Sequence, residues 1–365
     1  MVVEAPRSDV RKRAASFHVA LPPYIGGKRR ICPLIFREID AVIPRRHWPG
    51  LRFLDAFMGG GSVSLYAKAQ GFHVVSCDIA QRSLIIARSL VANSRIKLRF
   101  EDIAAVALDT KHEAGPIETA YVPKTFTREQ ARLLDRIMWE AARSKDAVRG
   151  DLLRMLSIRI MLMTHPMARP RSGTIDRLAD GQYESITPSC IKQYVDGLRL
   201  TTSKRLWEIA QDINAGVFNG LGEACPGDSF QTLREEPADV VYMDPPYPGT
   251  QSYEGYYYVL DEVFEGKKKG KNRMSDVDGV EMVHDLISIA QRFPVWILSM
   301  GNALIQGKDL EALASEGGRS ATAIEIPYVH SANLRSEEAQ ADNREIVLVS
   351  WNPVEVERLL EARSS

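Results

Sequence analysis

Apolar positions follow two different rhythms along this chain. From Arg52, "RFLDAF" is a short apolar run of strand type; "MGGG" follows, and then "SVSLYAKAQG", whose Val63, Leu65, Tyr66 and Ala69 lie at helical spacing with Gly71 placed as a cap. "FHVVSCDI" predicts a second strand ending at Asp78, and "QRSLIIARSLVANS" a second helix. Alternating strands and helices predict a parallel sheet covered on both faces. After about residue 101 the pattern turns helical. Thr127 to Gln130 has the form of a capping box, with Leu134, Ile137, Met138 and Ala141 following at helical spacing. "DLLRMLSIRIMLM" predicts another helix, the loop "THPMARPRSGT" comes next, and a further helix is expected within residues 189 to 213. Past residue 225 strands return in "ADVVYM", "PVWILSM", "ATAIEIPY" and "REIVLVSW", the last two reading as a terminal hairpin. These patterns predict one α/β domain built from residues 20–100 and 220–355, a mainly helical insertion over 101–219, and a loose tail over 1–19.

Composition narrows the choice of chemistry. Of 365 residues, 45% are hydrophobic, enough for a sizeable core, and 47 Lys and Arg balance 47 Asp and Glu. That neutrality excludes a uniformly basic coat for nucleic acid, so any such contact must be local. Residues 128–177 hold eleven Lys or Arg against six Asp or Glu, a local excess of five. Cys32, Cys77, Cys190 and Cys225 form no C-x-x-C pair and the histidines never fall at H-x-x-x-H spacing, so no metal site and no disulfide framework is expected. A reducing cytoplasm fits. The first twenty residues carry both charges without an apolar segment, unlike a secretion signal, and no apolar run approaches membrane-spanning length.

Three short stretches carry candidate chemistry. In "ADVVYMDPPYPGT", Pro245 and Pro246 cannot donate to a sheet, so the strand must end at Met243 and Asp244 is held on a stiff corner. Open α/β sheets bind their ligands at that carboxyl edge. An ordinary strand-to-loop turn uses the same residue types. "FMGGGS" lets backbone N–H groups approach a ligand at a helix start, but Ser64 stands where the dinucleotide fingerprint needs its third glycine. A nicotinamide dehydrogenase is therefore disfavoured. Asp78, at the end of the next strand, suits ribose hydroxyls, and it equally suits a cap for the following helix. In "YIGGKRR" a glycine turn presents Lys28, whose ammonium suits a carboxylate or a phosphate.

"YIGGKRR", "FLDAFMGGGSVSLYAKAQGFHVVSCDI" and "GDSF…VVYMDPPY", in that order, resemble the Dam-like α group of DNA adenine-N6 methyltransferases. The likeness covers residues 22 to 90 and 225 to 260, with an echo in "NREIVLVSWN", and does not cover the middle. It implies a Rossmann-like S-adenosylmethionine-dependent methyltransferase fold in which the 101–219 insertion recognises the target. It also implies double-stranded DNA as partner, a possible cognate restriction or defence system, and a monomer or dimer. Tyr24, Gly27 and Lys28 would lie near the cofactor's methionine part, with Asp55, Phe57, Gly59, Gly61 and Ser62 beneath it. Asp78 would hold the ribose, and Asp228 and Phe230 the adenine. Asp244, Pro245, Pro246 and Tyr247 would form the catalytic turn. Arg169 and Arg171 in the basic loop and Lys267 in "KKKGK" are candidate DNA contacts. Where the family pattern reads acid-Pro-Phe-x-Gly, this chain has Ala56 in place of the proline. It also lacks the Asn- and Phe-rich segment that usually precedes the catalytic turn, so no target sequence is inherited. Related activities on cytosine, RNA or a protein amide, and a DNA-binding module without methyl transfer, remain the alternatives.

Overall fold

The computed structural model describes residues 17–24, 26–107, 113–123, 125–164, 202–247, 253–266, 279–302, 304–327 and 344–363. The chain divides into two compact units, one comprising 24–87, 220–253 and 269–365, the other 1–23, 88–219 and 254–268.

The first unit holds the sheet. Its strands are β1 (Arg52–Asp55), β2 (His73–Asp78), β3 (Leu221–Pro226), β4 (Val240–Met243), β5 (Val295–Gly301), β6 (Ser320–Pro327) and β7 (Arg344–Trp351). They lie in the order β3-β2-β1-β4-β5-β7-β6. β1 to β5 pair in parallel, whereas β7 runs antiparallel to both its neighbours. The antiparallel pairing of the last two strands and the end of β4 at Met243 are as the sequence predicts.

Side chains alternate between two faces, and each face is covered. Phe53 turns into an aromatic cluster with Phe36, Trp48 and Phe72, its ring 5.7 Å from that of Phe36. Phe36 belongs to helix α1 (Cys32–Val42), which shares this face with α2 (Ser62–Ala69) through Tyr66. Leu54, next in sequence, turns the other way with Val241, Trp296 and Leu348. Leu233 of α4 (Ser229–Glu235) and Met282 and Leu286 of α5 (Gly279–Ala290) close that side; α3 (Gln81–Ile86) follows β2. Each large apolar side chain buried here contributes roughly 1.5–3 kcal/mol, so the sheet centre is a rigid platform. β3 is a correction to the sequence reading, which started the returning strands after residue 225. As an edge strand it is only half covered, with Leu221 at 62% exposure, and so it lacks an apolar signature.

The second unit is helical. The capping box opens helix Arg128–Arg143, where Gln130 N–H donates to Thr127 Oγ1 and Thr127 N–H to Gln130 Oε1. Helix Ala147–Thr164 is buried around much of its circumference. The helix expected within 189 to 213 is Ser203–Ala215 among the described residues. This unit takes in more than 101–219. Asn214 pairs with Leu98 through two hydrogen bonds of 2.8 and 2.9 Å, and Tyr121 donates to Glu262 at 2.8 Å. These bonds tie residues 88–100 and 254–268 to the helices. Among the described residues no helix is long and apolar enough to cross a membrane, and no metal-ligand cluster occurs.

Candidate active site

The strand order reverses between β1 and β4. From β1 the chain runs outward to β2 and β3, and from β4 it runs the other way to β5; open sheets bind their ligands at the carboxyl ends of such a central pair. The Ala56 amide still bonds the Tyr242 carbonyl at 3.0 Å, so the two strands stay paired up to the residues that leave them. Asp244 stands on the proline corner directly after β4. Antiparallel β7 delivers its second residue, Glu345, to the same edge opposite Gly301 of β5.

Four side chains meet there. Lys28 Nζ donates to both oxygens of Asp244 at 2.8 Å and to the Gly26 carbonyl at 3.0 Å. Glu345 Oε1 lies 3.5 Å from the same ammonium and accepts the Tyr247 hydroxyl at 2.8 Å. The Tyr247 hydroxyl is also 3.3 Å from Asp244 Oδ1, and its ring centre lies 5.2 Å from Lys28 Nζ. Lys28 and Glu345 are sealed from solvent, whereas the Asp244 side chain keeps 19% exposure. Of the three charged members, Asp244 is therefore the one that an incoming group can reach. Burial pushes its carboxyl up to about 6; the Lys28 ammonium opposes the rise and the Glu345 carboxylate adds to it. Sequence reasoning missed Glu345. Its signal was a lone acid opening an otherwise apolar strand, meaningful only once that strand is known to run antiparallel.

The glycine turn joins this cluster from the β1 side. Gly59 and Gly61 have φ of +51° and +75°, a region that favours glycine. Tyr24 lies on the turn: a Cβ on Gly60 would stand 2.6 Å from Tyr24 Cβ. The Tyr24 hydroxyl bonds Arg82 and Ser83, and burial raises its pKa. Gly27 donates to the Tyr24 carbonyl at 3.2 Å, and the Lys28 amide donates to Ser62 Oγ at 3.1 Å, docking "YIGGK" on the first residue of α2. Asp78 holds two backbone amides, one of the glycine turn and one of the loop before α3, and α3 itself has no side-chain cap. Oδ2 accepts the Gly59 amide at 2.9 Å, and Oδ1 accepts the Ala80 amide at 2.8 Å just before α3. The Gly227 amide bonds the Asp78 carbonyl, bringing "GDSF" alongside; Asp228 Oδ1 caps α4 through the Phe230 and Gln231 amides, and Phe230 and Phe57 pack on the core. Pro245 is buried and Pro246 half-buried. Arg169, Arg171 and Lys267 lie outside the described residues.

Asp55 is the buried last residue of β1. Its Oδ2 accepts Ser64 Oγ at 2.6 Å, and Ser76 Oγ backs Ser64 at 2.7 Å. Oδ1 is buried with no hydrogen-bond partner among the described residues. Burial pushes this carboxyl up to about 7; the Ser64 bond and a bond from the Phe57 backbone oppose the rise, and the charges of Asp244 and Asp78 add to it.

Residues 24–149 match the model of the D12 class N6 adenine-specific DNA methyltransferases. The chain is 27% identical over 316 residues to the Type II methyltransferase M2.HphI of Haemophilus parahaemolyticus, covering 84% of this chain and 91% of the relative. It is 24% identical over 259 residues to the Type II methyltransferase M.CviAII of Paramecium bursaria Chlorella virus 1, covering 68% and 70%. These likenesses support a relation to the Dam-like adenine methyltransferases.

As a DNA methyltransferase it requires a methyl donor. The buried Asp55 carboxyl suits a cationic one. A buried carboxylate with an open oxygen is costly alone and favourable beside a positive group, and Asp55 has that character. Its raised pKa carries a sign. The folded state holds the Asp55 proton more tightly than the unfolded chain, whose ordinary value is 3.8, so the associated stability is full in acid and is lost as pH rises through about 7. Asp55→Asn, neutral throughout, is expected to melt higher than the parent above that pH and to weaken donor binding. Thermal scans across pH with and without donor check both, and an equally steep fall in the variant would assign the pH dependence elsewhere. Gly60→Ala is expected to dislodge Tyr24, because the clash is with the stem of the ring and not a flexible tip. Overpacking of this kind costs about 1–3 kcal/mol. Calorimetry should show weaker donor binding in a folded variant, and unchanged binding would remove Tyr24 from the site.

Proposed function

We propose that this protein is an S-adenosylmethionine-dependent methyltransferase acting on the exocyclic N6 amine of adenine in double-stranded DNA. One observation carries the reading: Asp244, the reachable charged member of a four-residue cluster, stands on a proline corner at the switch point of the sheet. Adenine's amine is a weak nucleophile because its lone pair is delocalised into the ring. Asp244 accepts one amine hydrogen and the Pro245 carbonyl, which no strand engages, accepts the other, so the nitrogen pyramidalises and its lone pair is freed. The bound donor supplies an electrophilic methyl group. Orientation by such a corner reaches roughly 7–11 kcal/mol in favourable cases. Tyr247 offers a ring face to a base rotated out of the duplex. Once the nitrogen carries its new methyl group it sheds a proton, and Asp244, raised to about 6, is suited to take it.

Within this reading Asp55 and the Phe57, Gly59, Gly61 and Ser62 turn hold the donor's methionine part, with Tyr24, Gly27 and Lys28 beside it. Asp78 holds the ribose, and Asp228 and Phe230 the adenine. The helical unit, with its local positive excess, is assigned to target recognition through residues such as Arg169, Arg171 and Lys267. The Type II names of the relatives support a place beside a restriction nuclease. Sequencing plasmid DNA from cells expressing the protein, with modified-base detection, tests the function. Modified adenine at one recurring sequence is expected; modified cytosine, or no modification despite donor binding by calorimetry, would replace the reading.

A further inference from the structure

The Lys28 ammonium has three protons, and all three are spoken for by the Gly26 carbonyl and the two oxygens of Asp244. The fourth neighbour, Glu345 Oε1, stands at 3.5 Å, an ion-pair separation just beyond hydrogen-bond length. In this arrangement both Asp244 oxygens face the protein's own cation. An amine that is to donate to Asp244 competes with that cation. A buried ammonium cannot give up a partner without another in reach. Glu345 Oε1 lies within reach, and it is fixed there by the 2.8 Å bond from the Tyr247 hydroxyl and by the pairing of β7 with β5.

We propose that Glu345 is a positioning residue that accepts a hydrogen bond from the Lys28 ammonium when the target amine arrives, converting the bidentate Lys28–Asp244 pair into a bridge between two carboxylates and releasing Asp244 Oδ1 to the base. The Lys28–Glu345 distance need shorten by only a fraction of an ångström. Oδ1 is the oxygen that leaves, because it is the one already flanked by Tyr247, the residue assigned to the base. Tyr247 thereby links two events: its ring meets the base and its hydroxyl holds the acceptor that Lys28 turns to. No bond to carbon is made or broken in the exchange and no proton changes owner. This inference rests on the proposed adenine methylation.

The charged and titratable groups facing Asp244 are Lys28 from the loop before α1, Asp55 at the end of β1, Tyr242 of β4, Tyr247 and Glu345. The Glu345 charge raises the Asp244 carboxyl, so its removal should let Asp244 ionise at lower pH.

The test is the single-turnover rate of methyl transfer to plasmid DNA by the full chain from acid to alkaline pH, for wild type, Glu345→Gln and Glu345→Asp. Glu345→Gln is expected to lose about 100-fold in rate, the scale of a 1 Å misplacement, and to move the acid limb of the profile to lower pH. Glu345→Asp, which keeps the charge, should recover part of the rate with the limb near that of wild type. A merely structural role would lower the melting temperature and, through the lost charge, move the limb, but would leave the rate above the limb near that of wild type. A wild-type rate above the acid limb in Glu345→Gln would overturn the proposal, wherever the limb falls. Should Glu345→Gln not fold, Glu345→Asp and Tyr247→Phe decide: a rate loss in both supports the exchange, and wild-type rates in both overturn it. If wild-type protein itself leaves adenine unmodified, the proposed function fails, a result distinguishable from an active wild type with an equally active Glu345→Gln.

Discussion

Asp244→Asn is expected to abolish methyl transfer while leaving donor affinity within a few-fold of wild type. The substitution preserves size but replaces one acceptor oxygen with an NH₂ group. That group would face either the Lys28 ammonium, now 2.8 Å from both carboxylate oxygens, or the incoming amine, and both are donors. Loss of one preorganised partner of a transition state costs about 10²–10³-fold in rate, and misdirection of the amine adds to it. Donor binding is spared because Asp55, the glycine turn and Asp78 are untouched. The acid limb supplies a second signature. Asp244 has its carboxyl raised to about 6, chiefly by burial, so wild-type activity should fall as the carboxylate is protonated below that value. Any residual activity of the asparagine variant should lack that limb. Rapid-quench rates across pH together with donor titration by calorimetry measure all three effects.

Lys28→Met has the largest expected effect on stability. Methionine keeps the length of the stem but leaves Asp244 and the sealed Glu345 as two close carboxylates without a cation. Breaking a buried pair by removing one partner costs about 3–5 kcal/mol. The sign with pH follows from the same charges. Without the ammonium that now holds Asp244 down, its carboxyl rises further above the unfolded value, so the folded state binds protons more tightly than the unfolded chain. The stability deficit should therefore be small in acid and grow as pH climbs through the raised value. Urea unfolding of wild type and variant at acid and neutral pH reads this directly. Equal stability at neutral pH would mean that the four groups are not packed together as described.

The sequence made the platform legible because its signals are local. Apolar runs, a glycine turn and two prolines mark β1, α2, β2 and the end of β4 within a few residues each. The same locality exposed Lys28, Asp78 and Asp244 as candidates, since each is the polar residue at a turn. The parts that remained hidden depend on distant partners. β3 is an edge strand with one neighbour, so its exposed Leu221 and its Gly222 gave no run to read. Glu345 lies 101 positions beyond Asp244, and its place follows from the direction of β7, which periodicity does not encode. Ser64 and Ser76 resembled ordinary helix and strand residues, although they form the relay that fixes one side of Asp55. The helical unit was legible as helices. Its boundaries were not, because side-chain bonds such as Asn214 to Leu98 draw in neighbouring segments.

The most direct measurement supplies duplex DNA and S-adenosylmethionine with an isotopically labelled methyl group to the purified full chain, then digests the DNA to nucleosides for mass analysis. Label in N6-methyldeoxyadenosine from wild type, and none from Asp244→Asn, is the expected result. Label in a cytosine product, or undiminished N6-methyldeoxyadenosine from Asp244→Asn, would contradict it.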